Sequence, residues 1–304
     1  MTDAAISGRR VRASGDGRAI SSGAGTRYLV GAIAVFIAAL MLCPLILSFL
    51  DSIKTTADAA SSPPNYLPQS LSFENYQKIF DYQAGLWTYV SNSLLVAGFA
   101  IVIVIVIAVP AGYGLARFNF RGKEILFLVL LLPLMIPYQA LLIPLYLDFA
   151  NFRIPFTQIS LANNAFGLAL IHAMLQVPFS VYLMRNNFEG VPRELEEAAV
   201  IDGANSFQIF SRVALPLVLP GIVTIALFAF IASWNELLAA LILMSKETQF
   251  TVPIMLVGVR TGHFGAVDWG SLQAGIVVSV LPCIAIYVFL QKYYVSGLLS
   301  GAVK

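Results

Sequence analysis

The chain has 304 residues, 59% of them hydrophobic and only 11% charged, with a net charge of +2. Soluble domains carry roughly 25% charged residues, and the mean hydropathy here is +0.82. A soluble domain is therefore excluded, a polytopic membrane protein is expected, and no nucleic-acid partner is expected. Cys43 and Cys283 both lie in apolar runs and give no disulfide framework or metal-ligand spacing.

Residues 1–27 are polar, rich in Gly, Ser and Ala, and made basic by five arginines. They read as a disordered tail. The first apolar run, 28–50, is long enough to span a bilayer, since roughly 20 residues suffice. Ala57-Asp58-Ala59 resembles a signal cleavage site, but the apolar run exceeds the roughly 7–15 residues of a signal core, so an uncleaved span is expected. Residues 51–90 are polar and aromatic-rich, with a short helix expected near 73–80 and an interfacial cap as its setting. Further spans are expected at 92–116, at 125–147 broken by Pro133, Pro137 and Pro144, at 164–183, at 213–244 kinked at Pro216 and Pro220, and at 271–294. A short basic turn, RFNFRGK, follows the second span. Residues 148–161 read as a short polar link, 245–270 as a second polar loop and 295–304 as a Gly-rich tail.

With six spans, thirteen of the eighteen Lys and Arg fall on the side of the N-terminus. Lys54, Lys78, Arg153, Lys246 and Arg260 fall on the other. The excess of positive charge marks the cytoplasmic side, which places both termini and the loop between spans four and five inside the cell.

No P-loop, H-E-x-x-H or G-x-S-x-G occurs, so no catalytic, metal or cofactor-binding residue is expected in this chain. His172 lies within a span with no carboxylate nearby in sequence. It either packs and hydrogen-bonds internally or touches substrate. Glu236 follows Ser233-Trp234-Asn235. A carboxylate at membrane depth faces a polar cavity or a partner, unless the segment sits at the outer surface. Asn235 beside it adds hydrogen-bonding capacity.

The loop between spans four and five, 186–212, carries Glu194, Glu196, Glu197 and Asp202 within nine residues. Pro192 suits a first helical position, and the acids that follow suit the positive end of a helix dipole. Leu195, Ala198, Ala199 and Ile201 recur at helical spacing as a small apolar stripe. Asp202-Gly203 reads as a break with Gly203 in a left-handed cap. Asn205 with Gln208 reads as a variant capping box opening a second short helix. The stretch is an amphipathic helix–turn–helix hung between two spans.

Glu197-Ala198-Ala199, Asp202-Gly203-Ala204, Phe207, Phe210, Leu215-Pro216 and Pro220 resemble the EAA loop of ABC importer permeases. RFNFRGK at 117–123, SWNELL at 233–238 and QKYYVSGLLSGAVK at 291–304 resemble the maltose-type carbohydrate branch, and within it the second, smaller permease. The resemblance covers nearly the whole chain. It implies an all-α polytopic membrane protein with six transmembrane helices in the type I ABC importer permease fold. The divisions are a cytoplasmic tail 1–27, a six-span domain 28–294 and a cytoplasmic tail 295–304. It implies a sugar, oligosaccharide or sugar derivative as substrate. The implied partners are a second permease, two ATPase subunits that hold ATP and Mg, and a periplasmic or extracellular solute-binding protein. The implied setting is the bacterial inner membrane.

By the same resemblance, Glu194, Glu197, Ala198, Ala199, Asp202, Gly203, Ala204 and Phe207 couple to the ATPase. The tail, with Gly297, Gly301 and Lys304, enters the ATPase interface. Asn235, Glu236 and His172 are assigned to the translocation pathway. In the second polar loop, Gly262, His263 and Trp269 are candidate contacts for the binding protein, against a plain connector as the alternative. The rival to all of this is an ion-coupled secondary transporter. Such proteins show repeats and ionisable relays near the midplane, and no repeat is visible here.

Overall fold

The computed structural model describes residues 24–152, 160–261 and 267–302. The chain divides into two units, 1–46 and 47–304. The described part of the first is most of helix α1 (Ala24–Ser52), whose apolar side chains up to Ile46 are exposed on every side.

In the second unit the polar segment after α1 holds a turn, α2 (Thr56–Ala59), and α3 (Glu74–Phe80). This short helix is the one expected near 73–80. Asp58 organises the stretch between them. Its carboxylate accepts the Gln69 N–H at 3.0 Å and the Asn65 amide at 3.1 Å. These bonds, the Gln69 N–H above all, hold the carboxyl below its ordinary range. Lys54 is 2% exposed and pairs with Asp51 at 2.5 Å and with the Asn65 carbonyl.

Helix α4 (Leu86–Arg117) begins six residues before the expected span. Val96, Ala100, Val104, Ala108 and Gly112 recur every fourth residue and are all buried. That spacing puts them on one helix face, and the small side chains let a neighbouring helix approach closely. The neighbour is α7, the element α4 packs against most extensively. A Cβ at Gly112 would lie 2.6 Å from the Met184 Cβ and 2.9 Å from the Arg185 nitrogen. Gly112→Val is accordingly expected to push the two helices apart and to cost about 1–3 kcal/mol, the range for overpacked cores. Thermal unfolding in detergent checks this: the variant should melt clearly lower, while Gly98→Ala, where no atom lies within 4 Å of the added Cβ, should melt with the wild type.

The third apolar run does not form one rod. Helix α5 (Lys123–Leu131) and α6 (Leu142–Asn151) are joined by two 3-10 turns over 132–135 and 138–141, and the two halves meet at 88°. Pro133 and Pro137 sit in the break. Pro144 does not break anything, because it lies in the first turn of α6, where a missing N–H costs no bond. Helix α6 also extends into the expected polar link. Helix α7 (Ala165–Glu189) starts on Asn164, whose side chain accepts the Phe166 N–H at 2.8 Å.

After α7 come α8 (Arg193–Ile201) and α9 (Ser206–Gln208), then a π-helical turn over 209–214, α10 (Leu215–Leu217) and α11 (Leu219–Trp234). The expected single kinked span 213–244 is thus corrected. It bends by 73° at Val218–Leu219, stops at Trp234, and resumes as α12 (Leu238–Leu243).

The expected second polar loop is also corrected. Its centre is α13 (Val252–Thr261), with Val252, Ile254, Met255 and Val259 buried. Ser93 Oγ accepts the Val252 N–H at 2.9 Å, and Asn92 donates to the carbonyls of Thr248 and Phe250 at 2.9 and 3.0 Å. These bonds fasten the segment to α4. Helix α14 (Trp269–Ala302) closes the chain. The Gly-rich tail expected over 295–304 is helical through Ala302. Gly297 and Gly301 therefore do not bend the chain, and Lys304 lies outside the described residues.

Among the described residues, four helices are long and apolar enough to cross a membrane: Arg27–Ser52, Leu86–Arg117, Ala165–Glu189 and Trp269–Gln291. The bent pairs around α5/α6 and α10/α11 bring the number to six when each pair counts as one span.

Candidate coupling site

Pro192 is the N-cap of α8, with extended backbone (φ −56°, ψ 132°), and Arg193 is the first helical residue. The expected place of Pro192 as first helical residue is off by one. Glu194 and Glu196 occupy the first turn, where the unpaired N–H groups favour negative charge. At the other end Gly203 has φ +83°. The Gly203 N–H donates to Val200 O at 3.0 Å and the Ala204 N–H to Ala199 O at 2.9 Å. This pair of bonds is the Schellman closure, which needs a left-handed residue at Gly203. Asn205 Oδ1 accepts the Gln208 N–H at 2.9 Å, and the Gln208 side chain accepts the Asn205 N–H at 2.8 Å. The reciprocal capping box is complete.

No residue of α8 is buried. Leu195, Val200 and Ile201 are exposed, Ile201 at 86%, and Phe207 beyond the turn at 75%. Glu194, Glu197, Ala198 and Asp202 are exposed as well, with Ala199 and Ala204 half-buried. A helix so placed presents apolar and acidic groups away from the other described residues.

Glu196 is the exception. Its Oε1 accepts from Arg117 Nε at 2.7 Å and its Oε2 from the Tyr113 hydroxyl at 3.3 Å. Arg117 also donates from Nη2 to Val191 O at 2.9 Å. The Arg117 and Glu196 side chains are 8% and 14% exposed. Tyr113 lies against Phe210 and Phe188, with ring centroids 4.9 and 5.2 Å away. Sequence reasoning named neither Arg117 nor Tyr113 as a site residue. An arginine opening a basic turn carries no local mark of a partner 79 residues away. A second ion cluster lies nearby in the chain. Arg185 reaches Glu124 at 2.8 Å and Glu189 at 2.8 Å, with its guanidinium 4.3 Å above the Phe127 ring.

The assigned pathway residues separate into two kinds. His172 and Glu236 come together: His172 Nε2 stands 3.4 Å from Glu236 Oε2, and Nδ1 meets Ser233 Oγ at 2.7 Å. The Tyr138 hydroxyl, from the break between α5 and α6, donates to Glu236 Oε1 at 3.1 Å. Glu236 also accepts the N–H groups of Ala239 at 3.0 Å and Ala240 at 3.2 Å, which caps α12. The carboxylate is 9% exposed and joins both broken spans to α7. Asn235 is exposed and returns its amide to Ile231 O of its own helix at 2.8 Å. Of the three candidate binding-protein contacts, Gly262 and His263 lie outside the described residues. Trp269 opens α14 half-exposed, beside Asp268, which pairs with Lys78 at 3.0 Å.

Apolar helices sufficient for six spans, two of them broken, with an exposed amphipathic helix between the fourth and fifth, define a multi-pass membrane permease. Residues 105–299 match the family profile described as "Binding-protein-dependent transport system inner membrane component". The chain is 34% identical over 275 residues to the diacetylchitobiose uptake system permease protein DasC of Streptomyces coelicolor, covering 90% of this chain and 95% of that one. It is 30% identical to the arabinooligosaccharides transport system permease protein AraQ of Halalkalibacterium halodurans, covering 88% and 93%. Among solved structures, a chain of a bacterial ABC transporter for import of the acidic polysaccharide alginate superposes with a TM-score of 0.74. It shares 26% identity and covers 90% of this chain and 98% of that one. The chain belongs to the family of binding-protein-dependent transport system inner membrane components, and its fold is that of a type I ABC importer permease.

Proposed function

We propose that this chain is the transmembrane permease of an ABC importer for a sugar, oligosaccharide or sugar derivative, and that α8 is the element through which ATP hydrolysis on partner subunits reaches the spans. The substrate class is supported by the relatives named for diacetylchitobiose and arabinooligosaccharide uptake and by the alginate importer. The coupling role rests on one observation above others: α8 is a fully formed helix, closed at Gly203, with no buried residue. The exposed Ile201 at its end and Phe207 on α9 need an apolar cover, and the exposed Glu197 and Asp202 offer charge beside them. An ATPase subunit fits that description. ATP and magnesium are held there and not by this chain.

The positive-charge excess supports a cytoplasmic position for α8 and both termini. A second permease completes the channel, and a soluble binding protein delivers the sugar to the opposite face, near Trp269. Helix α14 then carries Gly297 and Gly301 as a rigid rod toward the ATPase side. The ion-coupled alternative finds no support. His172 and Glu236 are spent on each other, on Ser233 and Tyr138, and on the end of α12, which leaves no relay across the spans among the described residues.

Replacing Ile201 and Phe207 together by Asp tests the docking. Both side chains are exposed, so insertion should be normal, while the ATPase subunits should be lost from the complex purified through a tag on this chain. Full retention of the ATPase subunits would refute docking at α8.

A further inference from the structure

We propose that Arg117 is a positioning residue for coupling: it locks α8 to the end of α4, so that α4, α7 and α8 move as one body and the chain flexes beyond Phe210. This rests on α8 being the ATPase-docking helix. Helix α7 ends at Glu189 and α8 begins at Arg193. The short link between them, Gly190, Val191 and Pro192, would by itself let α8 swing. Arg117 prevents the swing.

A guanidinium presents its donors in a fixed planar fork. One donor takes the Glu196 carboxylate at 2.7 Å and another takes Val191 O at 2.9 Å. One point held is inside α8 and the other just before it, so both the place of the helix and its rotation about its axis are set. Tyr113, one turn back along α4, holds the other carboxylate oxygen. Among the described residues, the side-chain hydrogen bonds from α8 to another span all run through Glu196. Adjacent residues on a helix point about 100° apart. With Glu196 turned inward, Glu197 is turned out, and the two acids divide anchoring from docking.

The body that α8 is fastened to is itself stiff. The Gly112 contact brings the α4 and α7 backbones together, the Tyr113 and Phe188 rings meet beneath the clamp, and Phe210, packed on both, fastens the start of the π-helical turn to the same body. The chain beyond α8 is of another kind. Past Phe210, the rest of the π-helical turn over 209–214 and the 73° bend at Val218–Leu219 come in succession. These are the irregularities at which helical segments kink and flex. The joint therefore lies between Phe210 and α11, not between α7 and α8.

Spin labels at Arg193→Cys at the start of α8 and Asn119→Cys two residues past α4 test this in the assembled importer, with Cys43 and Cys283 replaced by Ser. The distance is measured without nucleotide and after trapping with ATP and vanadate. The expected result is one narrow distribution, unchanged between the two states. In Arg117→Gln and in Glu196→Gln it should broaden and become state-dependent. Basal ATPase rates in the two variants should depart from wild type by about tenfold, within the range for residues that carry coupling. The double variant should be no worse than either single one, as expected of residues acting as a pair. Arg117→Lys, which keeps the charge but not the fork, should broaden the distance less than Arg117→Gln.

A wild-type distance that shifts on trapping would overturn the clamp, and so would an unbroadened distribution in Arg117→Gln. A role in folding alone would lower the yield of complex and leave the distances of what assembles narrow, which also counts against the proposal. The docking reading fails separately, through retained ATPase subunits in the Ile201 and Phe207 variant, whatever the label distances show.

Discussion

Gly203→Val is expected to abolish transport while the protein still inserts and assembles its spans. Gly203 stands at φ +83° with no atom within 4 Å of where a Cβ would be. The penalty is thus backbone strain and not a clash. A left-handed conformation costs an ordinary residue roughly 1–2 kcal/mol and a β-branched one more. That is too little to unfold a membrane domain, but the bonds from Gly203 and Ala204 are what close α8 at this end. A valine escapes the strain by opening them, which re-aims Ile201 and Phe207, the two most exposed apolar side chains of the loop. The order of effect should be Val, then Ala, then Asn, because asparagine tolerates the left-handed region best. Uptake of labelled sugar by the reconstituted importer and ATPase stimulation by the loaded binding protein are the two readouts. Wild-type values of both in Gly203→Val would remove the closure from the coupling pathway.

Glu236→Ala is expected to have the largest effect on stability. The substitution leaves the N–H groups of Ala239 and Ala240, the Tyr138 hydroxyl and the His172 ring without their common acceptor, in a place where water is scarce. Breaking a buried charged partnership costs about 3–5 kcal/mol, and each orphaned donor contributes to that sum. The break between α5 and α6 and the break between α11 and α12 both rest on this carboxylate, so both should loosen together. Glu236→Gln keeps one acceptor oxygen and should be milder. The measurement is thermal unfolding of the purified protein in detergent, with the yield of assembled complex beside it. A melting temperature for Glu236→Ala equal to that of the wild type would show the cluster to be incidental. Asn235→Ala serves as the neighbouring control. It removes only a bond to its own helix and should leave stability nearly unchanged.

Much of this protein was settled by local chemistry that needs no third dimension. Long apolar runs can do little in water but cross a bilayer, and so composition was enough to find the apolar runs and, for the four unbroken helices, their approximate ends. The acidic helix, its left-handed close at Gly203 and the Asn205–Gln208 box were equally legible, because each is made of bonds between residues no more than five apart. The same locality explains the one-residue slip at Pro192, since a proline satisfies an N-cap as readily as a first helical turn.

Other features were decided only by tertiary packing. Prolines marked where the third and fifth spans were weak, but the 88° and 73° bends depend on what the freed backbone and side chains meet. Tyr138 meets a carboxylate 98 residues away. The run before α14 looked like a polar loop because its composition is mixed, and its centre became helix α13 because α4 and α14 offer its apolar face a surface to bury. His172 had no acid near it in the chain and gained one 64 residues on. Arg117 looked like part of a basic turn and proved to be bonded to the acidic helix. In each case the deciding free energy is the desolvation of a charge or an apolar face. That cost is set by which surfaces come together, and it is invisible until the spans have packed.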